Sequence, residues 1–324
     1  MEQAGEKGRK VCVTGAGGYV ASWLIKLLLA NGYQVHGTVR DPSNERNSHL
    51  MKLDKASENL RLFKVELLDY DSVLAAIAGC QGVFHVASPV PATKVSNPEE
   101  EVIAPAVTGT LNVLNACSAV GVKRVVVVSS VAALAIKPQW PEGQVMDEGS
   151  WSDKEYCQIT ENWYCLSKTM AEAEALEYAE KHRLDVVTVC PSLVIGPMQQ
   201  PTVNASSLFL ITILRGIRES MEDRIHHIVD VRDLADALLL TYETTEASGR
   251  YICASHPIKA HDLVDMLKKM YPDNNDYRIK FTEPDFVYVL TSEKLKKLGW
   301  RCRPLEESLV DSVEFYKEAG HLEN

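Results

Sequence analysis

The stretch KVCVTGAGGYVASW, residues 10–23, restricts what this chain can fold into more than any other. A run with strand character, Lys10–Thr14, leads straight into a glycine cluster, and an amphipathic helical pattern follows to Asn31. Gly15, Gly18 and Ala21 stand three apart. In that order the first glycine permits a tight turn and the second lets backbone approach a phosphate. The small third residue lets helix and strand pack closely. The N–H groups at the start of the helix are then free to face an anion. The residues from Gly15 through Gly17, Gly18, Tyr19 and Val20 are therefore the candidate cradle for a dinucleotide.

Strand and helix patterns keep alternating downstream. Further strands read at Gln34–Val39, Leu60–Lys64, Gly82–His85, Arg124–Ser129 and Asp185–Cys190. Helical periodicity occupies Asp71–Ile77, Val107–Val120 and Trp163–Lys181 between them. Strands this rich in Val suit a parallel sheet covered on both faces. The alternation predicts an α/β fold: a Rossmann-type doubly wound parallel sheet. After Pro191 the pattern changes. PSLVIGPMQQPTVNASS reads as loop, and short strands are expected at Tyr251–Ala254 and Tyr277–Phe281. This predicts a smaller α/β substrate lobe. The expected division is a Rossmann domain over 1–195, rejoined by 226–245, with 196–225 and 246–324 forming the lobe. Open α/β sheets bind ligands at the carboxyl ends of their strands, so the lobe should cap that edge.

Composition narrows the partners. A formal net charge of −10 argues against nucleic acid or an anionic membrane as a general partner. The polar opening MEQAGEKGRK has no apolar core of a signal peptide, and no apolar run reaches the roughly 18 residues of a spanning helix. The expectation is a cytoplasmic protein, with monomer and homodimer both open. Eight cysteines lie scattered without a CxxC pair, so neither a metal site nor a disulfide framework is expected. Cys157 and Cys165 are the one pair singled out, and both are expected to be reduced.

The end of the second strand bears on the choice of cofactor. An Asp or Glu there holds the ribose hydroxyls of NAD. This chain has Arg40 instead, with Arg46 in the next loop. Guanidinium suits a phosphate, so NADPH/NADP+ is the expected cofactor. Glu66 and Leu67, just after the third strand, are expected beside the adenine, and Asp69 as a helix N-cap.

Tyr164 and Lys168, four apart on a helix, share one face, and the strand from Arg124 ends in Ser129-Ser130. Tyr, Lys and Ser together form a proton-donating site for carbonyl reduction. A phenol titrates near 10, and a neighbouring ammonium pulls that value down. Lys168 would also bind the cofactor ribose, Ser130 would donate to the carbonyl oxygen, and Tyr164 would deliver the proton. Cys165 invites a thiol-nucleophile reading, but helical geometry turns it about 100° from Tyr164.

The segments VTGAGGYVASW, GTVRDP, GVFHVASP, VVVVSS, NWYCLSK, VIGP and SGRY resemble the extended short-chain dehydrogenase/reductases. Within these they are similar to the plant branch holding cinnamoyl-CoA reductases, dihydroflavonol reductases and related aldehyde reductases. The resemblance implies Ser130, rather than Ser129, with Tyr164 and Lys168 as catalytic triad. It also implies Ala87, Ser88 and the segment from Pro191 to Val194 beside NADPH. Its proposed thioester constellation falls on Phe209, Thr212 and Arg250, of which only Arg250 keeps the family's residue type. The expected substrate is therefore an aryl-propenoid carbonyl, first a cinnamaldehyde-type aldehyde reduced to its alcohol. Reduction of a hydroxycinnamoyl-CoA to the aldehyde is the alternative, and a non-catalytic NADPH-binding regulator the third. Ser130, Tyr164, Phe209 and Arg250 are the expected substrate contacts.

Overall fold

The computed structural model describes residues 9–90, 95–138, 140–141, 143–272, 278–284 and 287–322. Seven strands form one sheet: β1 (Lys10–Val13), β2 (Gln34–Val39), β3 (Leu60–Lys64), β4 (Gly82–His85), β5 (Arg124–Val128), β6 (Val186–Pro191) and β7 (Gly249–Cys253). All pairings are parallel, in the order β3-β2-β1-β4-β5-β6-β7. The order reverses direction between β1 and β4, which opens a crevice at the strand C-termini.

Alternation along the strands builds two cores. Val11 and Val13 of β1 face a cluster with α1 (Tyr19–Ala30), while Cys12 faces the opposite cluster. The second face is covered by α2 (Tyr70–Ile77), α3 (Ala104–Val120) and α4 (Trp163–His182). In β5, Val126 and Val128 point to the first core and Val125 and Val127 to the second. Successive strand side chains must point to opposite faces, so a strand of consecutive valines is buried on both. After α5 (Ala205–Leu214), the helix α6 (Val231–Glu243) packs beside α1.

Three features differ from the sequence expectation. The segment read as loop contains a strand, Leu193–Ile195, which pairs with Ile228–Asp230 in a separate three-stranded sheet. Gly249–Cys253, expected in the lobe, joins the main sheet as β7 along β6, so the main sheet continues past 245. Only a few apolar residues separate these short strands from turns, too few for periodicity to assign them to a sheet. The third concerns the helix Glu99–Val120, which is long and apolar enough by composition to cross a membrane. It lies against α2 and α4, with Val113, Leu114 and Cys117 in the core, as a buried helix of a layered fold does. Of the expected strand Tyr277–Phe281, Tyr277 lies outside the described residues, and a strand is found at Lys280–Thr282.

Candidate active site

The glycine cluster forms the turn between β1 and α1. Gly15 has φ +68°, and a Cβ there would stand 3.0 Å from the Cα and Cβ of Ala87. A side chain would thus be both strained and crowded. Ala16 N–H donates to Thr38 O at 2.8 Å, tying the turn to β2. Gly18 is the N-cap of α1 and offers no side chain to the helix N-terminus, which leaves its N–H groups for an anion. Tyr19, whose hydroxyl donates to Gly196 O at 2.9 Å, and Trp23, whose Nε1 donates to Pro197 O at 2.8 Å, fasten α1 to the segment after Ile195. Val20 is half-buried on the same helix.

Arg40 ends β2 and is exposed, and Arg46 is exposed in the short turn Glu45–Asn47, whose Asn47 lies against Gly17. Both residues therefore lie in the segment that runs from the end of β2 back to the glycine turn. Glu66 is exposed after β3, Leu67 packs against Gly109 of α3, and Asp69 caps α2 as expected, accepting from Ser72 N–H at 3.4 Å. Ala87 and Ser88 continue from β4, and Pro191 and Val194 are buried at and beyond the end of β6. The hydroxyl of Ser192 between them is buried with no hydrogen-bond partner among the described residues. The side-chain-free cradle, the exposed cations and this orphaned hydroxyl all fit a bound NADPH.

The triad residues converge at the end of β5. Ser130 follows β5, and its Oγ accepts from Ala132 N–H at 3.1 Å. Tyr164 lies in hydrogen-bonding reach of that hydroxyl; burial raises its pKa above the ordinary value, and the Ser130 bond lowers it. Lys168, one turn along α4, donates from Nζ to Val128 O at 3.1 Å. Burial brings its pKa down to about 8, against the upward pull of Glu172. At neutral pH Lys168 is thus mainly an ammonium. A pocket with room for about one water lies among His85, Ser129, Lys168 and Glu172.

His85 is held by a chain that fixes its tautomer. Thr14 Oγ1 accepts from the N–H groups of Val86 and Ala87, both at 3.0 Å, so its own proton goes to His85 Nδ1 at 2.9 Å. Thr110 Oγ1 donates to Ala106 O at 2.6 Å and accepts from His85 Nε2 at 3.1 Å. Burial pushes His85 down to about 3, so the ring is neutral. No group of His, Cys, Asp and Glu able to hold a metal occurs among the described residues.

Arg250, expected as a substrate contact, spends its guanidinium on protein partners in this geometry. Its guanidinium is 6% exposed and doubly bonded to Glu172, with Nη1 donating to Glu148 O and Ser150 O at 3.0 and 2.6 Å. Trp151 stacks on it, the guanidinium carbon 3.6 Å from the ring centroid. Four hydrogen bonds from its guanidinium go to protein, as a buried cation must be paired. Phe209 lies on α5 against His226, ring centroids 5.0 Å apart, and beneath the Arg218 guanidinium. Thr212 Oγ1 accepts from Arg218 Nε at 3.3 Å. Cys165 is buried with Cys157 in one apolar cluster, against which Tyr164 also packs. Both thiols are free, and burial pushes them up to about 12 and about 11, which makes neither a nucleophile. Sequence reading missed Glu172, although its position four residues after Lys168 placed it on the same face.

Residues 11–254 match the NAD dependent epimerase/dehydratase family. Cinnamoyl-CoA reductase 1 of Petunia hybrida is 44% identical over 321 residues, covering 97% of this chain and 94% of its own. Vestitone reductase from alfalfa (Medicago sativa) has the same fold, with a TM-score of 0.84 at 32% identity over 97% of this chain and 99% of its own. The yeast methylglyoxal/isovaleraldehyde reductase Gre2, solved in complex with NADPH, superposes with a TM-score of 0.84 at 26% identity, covering 96% and 99%.

Proposed function

The chain belongs to the NAD dependent epimerase/dehydratase family, and on that premise we propose that it reduces hydroxycinnamoyl-CoA thioesters to aldehydes. It is an oxidoreductase of the short-chain dehydrogenase/reductase type that uses NADPH. What carries the thioester reading is the 44% identity to a cinnamoyl-CoA reductase along nearly the whole chain. The sequence alone favoured the free aldehyde, and the relatives support the thioester over it.

Held at the glycine turn and by Arg40, bound NADPH would supply hydride chemistry to the carbonyl carbon. The chain's own residues manage the oxygen. Ser130 donates a hydrogen bond to it as charge develops, and Tyr164 gives it a proton. Lys168, anchored to Val128 O one turn along the same helix face, is the cation that would favour an ionised Tyr164. A thioester carbon then carries hydrogen, hydroxyl and sulfur. Its C–S bond breaks as the hydroxyl proton returns to Tyr164, and the sulfur leaves as thiolate and takes a proton to become free thiol. One hydride and one net proton are consumed for each aldehyde and thiol formed. The same residues serve an aldehyde, with the alcohol as product and no bond broken.

A second reading, aldehyde to alcohol, is favoured by one observation. Phe209 and Thr212 carry no charge, and Arg250 is consumed by Glu172, so none of the three offers a free cation to the phosphates of a CoA tail. The test is thiol release: feruloyl-CoA is incubated with NADPH and free thiol is titrated. One thiol for each NADPH oxidised supports thioester reduction. NADPH oxidation only with added coniferaldehyde, and no thiol, removes it.

A further inference from the structure

Tyr164, Lys168 and Glu172 are spaced by four on α4 and share one face. They meet three consecutive residues at the end of β5. Tyr164 reaches the Ser130 hydroxyl, Lys168 Nζ donates to Val128 O at 3.1 Å, and Glu172 Oε2 accepts from Ser129 Oγ at 2.7 Å. We propose that Glu172 is a positioning residue of this reductase site. Through Ser129 it sets the register of α4 against the end of β5, and it places a carboxylate in the pocket that Lys168 also lines, with Arg250 as its buried counter-ion.

The geometry of the carboxylate supports both roles. Glu172 is 1% exposed. Its Oε1 accepts from Thr188 Oγ1 at 2.6 Å, Arg250 Nε at 2.9 Å and the Cys190 thiol at 3.2 Å. Its Oε2 accepts from Ser129 and from Arg250 Nη2 at 3.1 Å. Donors from β5, β6 and β7 thus converge on one side chain of α4, so the carboxylate can hold helix and strands in a single register. Buried charge is costly unless paired, and an apolar side chain would pack as well. The ion-pair partner Arg250 also binds the carbonyls of Glu148 and Ser150, which ties the segment before α4 into the same cluster.

The electrostatic role follows from what else faces Lys168. His85 approaches from β4 and is neutral, held down to about 3 by burial. Cys190 approaches from β6 with its thiol pushed up by burial, so it is neutral too. Tyr164 on the same helix has a raised pKa. Glu172 is the one carboxylate among the residues lining the pocket beside Lys168. Burial alone disfavours the ammonium, and Glu172 opposes that loss.

Glu172→Gln keeps the shape and removes the charge. The pH dependence of NADPH binding, followed by fluorescence from pH 6 to 10, and that of kcat are the readouts. The expected result is an alkaline limb displaced to lower pH by about one unit in both, with circular dichroism unchanged. Because Arg250 would be left unpaired, the double variant Glu172→Gln/Arg250→Met removes both charges together and should displace the limb in the same direction. Ser129→Ala keeps every charge; it should lower kcat about tenfold with the limb in place. A folded Glu172 variant with an unmoved limb overturns the electrostatic role, and wild-type kcat in Ser129→Ala overturns the register role. The binding profile needs no carbonyl substrate, so an error in the substrate assignment would not mask either result.

Discussion

Thr14 at the end of β1 and His85 at the end of β4 are joined by a 2.9 Å hydrogen bond across neighbouring strands. The same Thr14 oxygen receives two backbone N–H groups, from Val86 and Ala87. One hydroxyl therefore sets the separation of the two strand ends between which the nucleotide crevice opens, and holds Ala87 against Gly15. Thr14→Val keeps the volume but strands two buried donors and the His85 acceptor. Unfolding in urea should show a loss of about 2 kcal/mol. A change below about 0.5 kcal/mol would mean that water satisfies these groups.

Acid should destabilise the fold before most carboxylates titrate. Burial holds His85 at about 3 and His226 and His227 at about 4, against 6.5 for the free side chain. Between pH 6.5 and about 4 the unfolded chain binds these protons and the folded chain does not. Stability contributed by the neutral rings is complete above pH 6.5 and falls as pH drops toward 4. His226 Nε2 is buried without a partner among the described residues. His226→Leu should cost little at pH 7 and should flatten the acid side of the melting curve. An unchanged acid side would contradict a buried, neutral His226.

Tyr164→Phe removes the proposed proton and little else, since the ring keeps its place beside Ser130 and Cys165. Turnover should fall by about 10²- to 10⁴-fold, with NADPH affinity within about twofold of the parent. Near-normal turnover would mean that another group supplies the proton.

Arg40→Ala tests the phosphate assignment. The side chain is exposed at the end of β2, where a dinucleotide fold places the adenine ribose. NADPH should bind roughly tenfold to a hundredfold more weakly and NADH nearly as before. Equal losses for both cofactors would place Arg40 away from the 2′-phosphate.

The main sheet was legible because its signals are local. The Val-rich strands, the glycine turn and the Tyr164–Lys168 spacing each lie within a few residues, and the ends of β2, β3 and β4 fall where the sequence put them. What escaped reading depends on distant pairing. The β7 strand is defined by its register with β6, 62 residues earlier at every pair, and no local pattern says which sheet it joins. Arg250 carries a family-like residue type, but only the fold reveals that Glu172 occupies it. Glu172 lay on a legible helical face, yet a lone acid there reads as surface until burial is known.

The most direct measurement is a paired steady-state assay with NADPH, one arm with feruloyl-CoA and the other with coniferaldehyde, each followed by loss of substrate absorbance. The account predicts a higher kcat/KM for the thioester, with one free thiol for each NADPH consumed. A higher kcat/KM for the aldehyde, with alcohol as product, would contradict the substrate assignment while leaving Ser130, Tyr164 and Lys168 as the reducing site.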